Sequence, residues 1–103
     1  MPNTIRVRAM ANGDTTQVQA LIQHPMDSGF VKGANGKLIP PHYIEVVTFE
    51  AGGKTVLTAF WGPAVSKDPY IKFSFKGAKK GDKLKISWVD NEGMKDSTVG
   101  TIM

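Results

Sequence analysis

Tyr70-Ile71-Lys72-Phe73-Ser74-Phe75-Lys76 alternates apolar and polar side chains without a break. A period of two puts Ile71, Phe73 and Phe75 on one side of an extended strand and Lys72, Ser74 and Lys76 on the other. The stretch is therefore a strand with one face buried and one face wet. Downstream, Gly77 to Gly81 reads as a loop, after which Leu84, Ile86 and Trp88 alternate with Lys83, Lys85 and Ser87. Trp88 sits mid-strand on the inward parity and is the candidate core aromatic. Asp90, Asn91, Glu92 and Gly93 make a tight turn into Met94 to Met103, a weakly patterned last strand.

The same reading works outward toward the N-terminus. Thr4 to Met10 sets Ile5, Val7 and Ala9 against Arg6, Arg8 and Met10. Asn12, Gly13 and Asp14 turn the chain into a second strand, Thr15 to Gln23, which is expected to run antiparallel to the first. Its polar face carries one apolar residue, Leu21. His42 to Ala51 and Lys54 to Gly62, joined at Gly52 and Gly53, are rich in β-branched and aromatic residues on both parities. The switch between Val46 and Val47 argues for a bulge or for burial on both faces. If Ile44, Val46, Val56 and Phe60 face the core, then Tyr43, Val47, Phe49, Leu57 and Trp61 fall on the side that faces water. That excess reads as an apolar patch for a permanent partner. Gly62, Pro63 and the Asp68-Pro69 pair bracket a connection with room for one helical turn.

Between the second and third strands lies an excursion, Leu21 to Ile44, that a bare sandwich does not require. Pro25 ends ladder pairing, because it lacks an N–H donor. Phe30, Val31 and Lys32 face Lys37, Leu38 and Ile39 across Gly33-Ala34-Asn35-Gly36, and the Asn-Gly pair signals a hairpin. A small two-stranded flap is expected, with Pro40 and Pro41 stiffening its return.

About seven short strands with compact turns, no convincing helix and no internal repeat point to an all-β fold. The expected architecture is an immunoglobulin-like antiparallel β-sandwich forming one domain over residues 1–103. A five- or six-stranded barrel is the competing architecture. A chain of 103 residues buries roughly 65% of its extended surface, enough for a core without staples.

The chain has no cysteine, which removes disulfides, thiolate nucleophiles and persulfide carriage on this chain. No segment approaches the ~18 apolar residues that span a bilayer, and Met1 to Met10 lacks the apolar region of a signal peptide. The net charge of +4 is moderate, and Lys76, Lys79, Lys80, Lys83 and Lys85 lack interleaved exposed aromatics. They read as a solvated loop that discourages edge pairing, with no nucleic-acid or membrane partner implied. His24, Met26 and His42 are the clustered imidazole and thioether groups, and a small copper-binding sandwich is the alternative reading they support. Packing of the excursion onto the body is the simpler account of the same residues. His24, Asp27 and Ser28 have the residue types of a triad but crowd around one proline turn, so no enzyme is expected. The residues give no reason to expect a cofactor.

Leu21, Ile22, His24-Pro25-Met26-Asp27-Ser28-Gly29, then Gly36, Leu38-Ile39-Pro40, Trp61-Gly62-Pro63-Ala64, Ser66-Lys67-Asp68-Pro69-Tyr70 and Trp88-Val89-Asp90 before Gly93 resemble the SoxZ family of sulfur-oxidation (Sox) proteins. The resemblance runs over nearly the whole chain. It implies an immunoglobulin-like, non-catalytic subunit that forms a heterodimer with a SoxY-type carrier, on whose cysteine sulfur intermediates travel during thiosulfate oxidation. It also implies a periplasmic location, export together with a signal-bearing partner, and transient docking to other Sox enzymes. Partner-binding candidates are His24, Met26, His42, Tyr43, Phe49, Leu57 and Trp61, with a homodimer possible when the partner is missing.

Overall fold

Seven strands build two antiparallel sheets. They are β1 (Ile5–Asn12), β2 (Thr15–Ile22), β3 (Ile44–Ala51), β4 (Lys54–Phe60), β5 (Tyr70–Lys76), β6 (Lys83–Asp90) and β7 (Lys95–Thr101). The structure, a computed structural model, describes residues 4–103. One sheet has the order β1-β2-β5 and the other β4-β3-β6-β7, the all-β sandwich expected rather than a barrel. In the constant-type immunoglobulin arrangement the fourth strand belongs to the first sheet. Here β4 pairs with β3 instead, leaving three strands facing four. No helix forms among the described residues. The connection before β5 closes one turn, Val65 N–H to Gly62 O, and continues as bends.

The core lies between the sheets. Val18, Ala20 and Ile22 of β2 meet Ile44, Val47 and Phe49 of β3 and Leu84, Ile86 and Trp88 of β6, all buried. Phe49 and Phe73 cross the layers with ring centroids 4.8 Å apart in an edge-to-face arrangement, a favoured geometry for aromatic pairs. Beyond β7, Met103 bonds to Ala9 O and Ala11 N at 2.9 and 2.7 Å, closing the β1 flank of the sandwich.

Two bulges decide what the middle strands present. The β3–β6 register passes from Ile44↔Asp90 to Val46↔Val89, so Glu45 is the extra residue. The β3–β4 register passes from Phe49↔Leu57 to Glu50↔Thr55, so Val56 is extra there. One inserted residue reverses which side chains face inward. This corrects the expected assignment of faces: Ile44 is inward as expected, but so are Val47 and Phe49, while Phe60 is 79% exposed. Leu57, Ala59 and Trp61 turn toward the core and pack on its rim.

The flap is smaller than two strands. A single bridge, Lys32↔Leu38, holds it, with bonds from Gly33 N to Lys37 O and Ile39 N to Val31 O. Gly36 N bonds to Gly33 O, and Gly36 takes φ +78. Ala34 and Asn35 are thus the turn centre and Gly36 supplies the left-handed residue after it, a three-residue hairpin loop.

Candidate functional site

The inward parity of β6 runs Leu84, Ile86, Trp88 and then Asp90, so an aspartate is carried into the end of the sandwich. Its side chain has 0% exposure. A carboxylate buried without donors is too costly to keep, and four donors converge on this one. Oδ1 accepts from Glu92 N at 3.0 Å and Met94 N at 2.8 Å, which shapes the β6–β7 turn. Oδ2 lies 3.1 Å from His24 Nε2 and 2.7 Å from His42 Nε2. Burial works to raise the Asp90 carboxyl, but His24, His42, Met94 and Glu92 outweigh it and hold the group below its ordinary value.

Hydrogen-bond accounting fixes the His24 tautomer. Met26 takes φ +50 and donates its N–H to His24 Nδ1 at 3.1 Å. Nδ1 therefore holds the lone pair, and Nε2 carries the proton given to Asp90. The imidazole stands edge-on to Trp88, centroids 5.1 Å apart, and to His42 at 4.6 Å. Trp88 donates in turn to Thr4 Oγ1 at 3.0 Å.

One ligand atom from each of His24, His42 and Asp90 falls within 4.8 Å of the others, the compactness of a metal site. The donor set nevertheless does not fit one. A metal-bound histidine gives its second ring N–H to an acceptor, whereas His24 Nδ1 faces a donor. The Met26 thioether is also engaged, accepting Ile44 N at 3.3 Å. His24, Met26 and His42 come together as the copper reading required, but they are bonded to the protein in a way that disfavours a metal. All four acceptor positions of Asp90 are occupied by groups of its own chain, the arrangement of a structural hub. Ser28 accepts Phe30 N and does not join His24.

Instead, the cluster ties loops together. Asp27 and His42 exchange two backbone bonds of 2.7 and 3.0 Å, closing the base of the excursion. Asn91 bonds to the backbone of Pro41 and Tyr43. Asp68, at φ +52, bonds His24 N through its side chain and His24 O through its own N–H. The β2–β3, β4–β5 and β6–β7 connections are thus locked at one end of the sandwich.

The outer face of the four-stranded sheet is the second notable surface. Pairing places Phe60, Val46, Val89 and Lys95 in one cross-strand row, and Thr58, Thr48, Ser87 and Ser97 in the next. These three apolar groups beside a row of hydroxyls leave apolar surface in water, with Phe60 at 79% and Val89 at 42% exposure and Val46 half-buried.

Of the sequence candidates, His24, Met26 and Phe49 are buried, so they are not surface contacts. Tyr43, Leu57 and Trp61 are half-buried and pack on the core rim. His42 is partly exposed. Sequence reasoning missed Asp90 and the row of Phe60, Val46 and Val89. Asp90 had a signal, since it continues the inward parity of Trp88. The row had only a partial one: the parity switch at Val46 and Val47 pointed to a bulge, but not to which residue is extra, and so not to which side chains face out.

The sequence profile described as "Sulphur oxidation protein SoxZ" matches residues 5–101. No curated protein matches the chain. Among solved structures, the hypothetical protein PH1083 from Pyrococcus horikoshii OT3 superposes with a TM-score of 0.66 at 19% identity, covering 98% of this chain and 88% of that one. That likeness speaks to the fold alone.

Proposed function

Because this chain belongs to the SoxZ family of sulphur oxidation proteins, we propose that it is the non-catalytic half of a two-subunit sulfur carrier. It scaffolds a SoxY-type subunit whose cysteine holds the sulfur during thiosulfate oxidation. The heterodimer works in the periplasm, entering with its signal-bearing partner. The observation that carries the reading is the Phe60, Val46 and Val89 row, an apolar strip on the outer sheet face in which Phe60 and Val89 stand exposed and Val46 half-buried. Burying such a face is the usual driving force of permanent association. A chain with no cysteine has no thiol on which to carry sulfur, and Asp90 spends its four acceptor positions on its own chain. Both suit a support role.

Co-expression with a SoxY-type carrier tests this. The expected result is a one-to-one complex by light scattering that survives gel filtration. Two proteins that elute separately would remove the proposal.

A further inference from the structure

Residues 28–41 project from the locked end of the sandwich with both ends anchored and the tip bare. At the base, Asp27 and His42 form a bridge, His42 holds Asp90, and Gly29 lies so close to Pro41 that an added Cβ would stand 3.2 Å from its ring. Between that base and the Lys32↔Leu38 bridge, Phe30 is 86% exposed and Val31 58%, with Leu38 at 57% on the returning arm. Lys32 and Lys37, both exposed, flank these groups, and no carboxylate occurs between Asp27 and Glu45. A protein fastens a protrusion this firmly at an entropic cost, and large apolar groups held in water with cations beside them are complementary to an apolar pocket with an acidic rim.

Resting on the carrier reading above, we propose that this flap is a docking finger by which the scaffold subunit seats the carrier on the enzymes that process its sulfur: Phe30 and Val31 enter an apolar pocket on the enzyme, and Lys32 and Lys37 meet carboxylates at its rim. The buried knot of His24, His42 and Asp90 sets the finger's angle without touching the enzyme. Phe30 and Val31 belong to the β2–β3 excursion and the Phe60 row to the outer face of the four-stranded sheet, so the finger and the carrier face use different residues.

The test uses the sulfur-loaded heterodimer as substrate for each purified Sox enzyme in turn. Phe30→Ser and Leu38→Ser lie on exposed positions, and their urea midpoints and heterodimer mass should match those of the unmodified complex. For at least one enzyme, KM for the heterodimer should rise about tenfold with kcat unchanged, the loss expected when an apolar anchor is removed. The doubly reversed Lys32→Glu, Lys37→Glu form should slow association and weaken its dependence on salt. An intact heterodimer with unchanged KM for every enzyme overturns the finger and leaves the carrier reading standing. Failure to form the heterodimer at all overturns both. Binding to phosphatidylglycerol vesicles that Phe30→Ser abolishes, with KM unaffected, would assign the flap to a lipid surface instead.

Discussion

His42 and Asp90 meet at 2.7 Å across a sequence separation of 48 residues, inside a sandwich end where the carboxylate has no solvent exposure. The bond joins the return of the excursion to the last hairpin, and the same oxygen takes His24 from the excursion's start. One side chain therefore fixes both feet of a long insertion and the turn beside it.

Asp90→Asn tests that role. The amide keeps one acceptor but turns an NH2 toward donors, leaving buried groups unpaired. Removal of one partner from a buried charge network costs about 3–5 kcal/mol, enough to lower the melting temperature of a domain this size by about 15 °C or more. Urea titration monitored at Trp88 checks it, and a loss under about 1 kcal/mol contradicts the assignment.

Acid should act through the same group. The Asp90 carboxyl is held low in the fold, with burial opposed by His24, His42, Met94 and Glu92. Asp96 is likewise held low, with burial opposed by Thr4 and Ser97. A depressed folded value means stability that is complete above the ordinary carboxylate range and is lost as pH falls through the folded value. Unfolding free energy measured from neutral pH downward should therefore decline in acid, and Asp90→Asn should flatten the decline. An equal slope in the variant contradicts the account.

Nitrogen NMR reads the His24 tautomer. Nδ1 should show the shift of an unprotonated ring nitrogen and Nε2 that of a protonated one. Added copper or zinc at micromolar levels should leave both signals in place, because Met26 N–H faces Nδ1 at 3.1 Å. A metal-induced shift at His24 and His42 together would reinstate the metal reading.

How much was legible in the sequence depends on phase. Tyr70 to Lys76 alternates cleanly and its strand has those same limits. The starts of β2 at Thr15 and of β6 at Lys83 followed from the same pattern, while β2 stops at Ile22 rather than Gln23 and β6 runs on through Asp90, a residue expected in the turn. Between Tyr43 and Trp61 the parity switch at Val46 and Val47 signalled a bulge or two buried faces, but it did not say which residue is extra, and the insertions Glu45 and Val56 shifted the phase. Phe49 and Phe60 consequently exchanged the environments expected of them. The pairing of His24 and His42 with Asp90 needed long-range register, although the parity of Asp90 with Trp88 already demanded buried donors, and the chain has two histidines to supply them.

That exchange is measurable by truncation. Phe49→Ala removes a fully buried ring and should cost about 3–5 kcal/mol. Phe60→Ser, at an exposed position, should change folding stability by less than about 1 kcal/mol. Comparable losses at the two positions would mean that the strand faces are assigned wrongly.

Affinity for the carrier decides the account. Phe60→Glu with Val89→Lys puts charge into the apolar row while leaving the core intact, and titration calorimetry against a SoxY-type carrier reads the consequence. The expected result is a normally folded chain whose affinity falls at least about a hundredfold, roughly 2.7 kcal/mol. A doubly charged face that binds the carrier as tightly as before would contradict the claim that this sheet holds the partner.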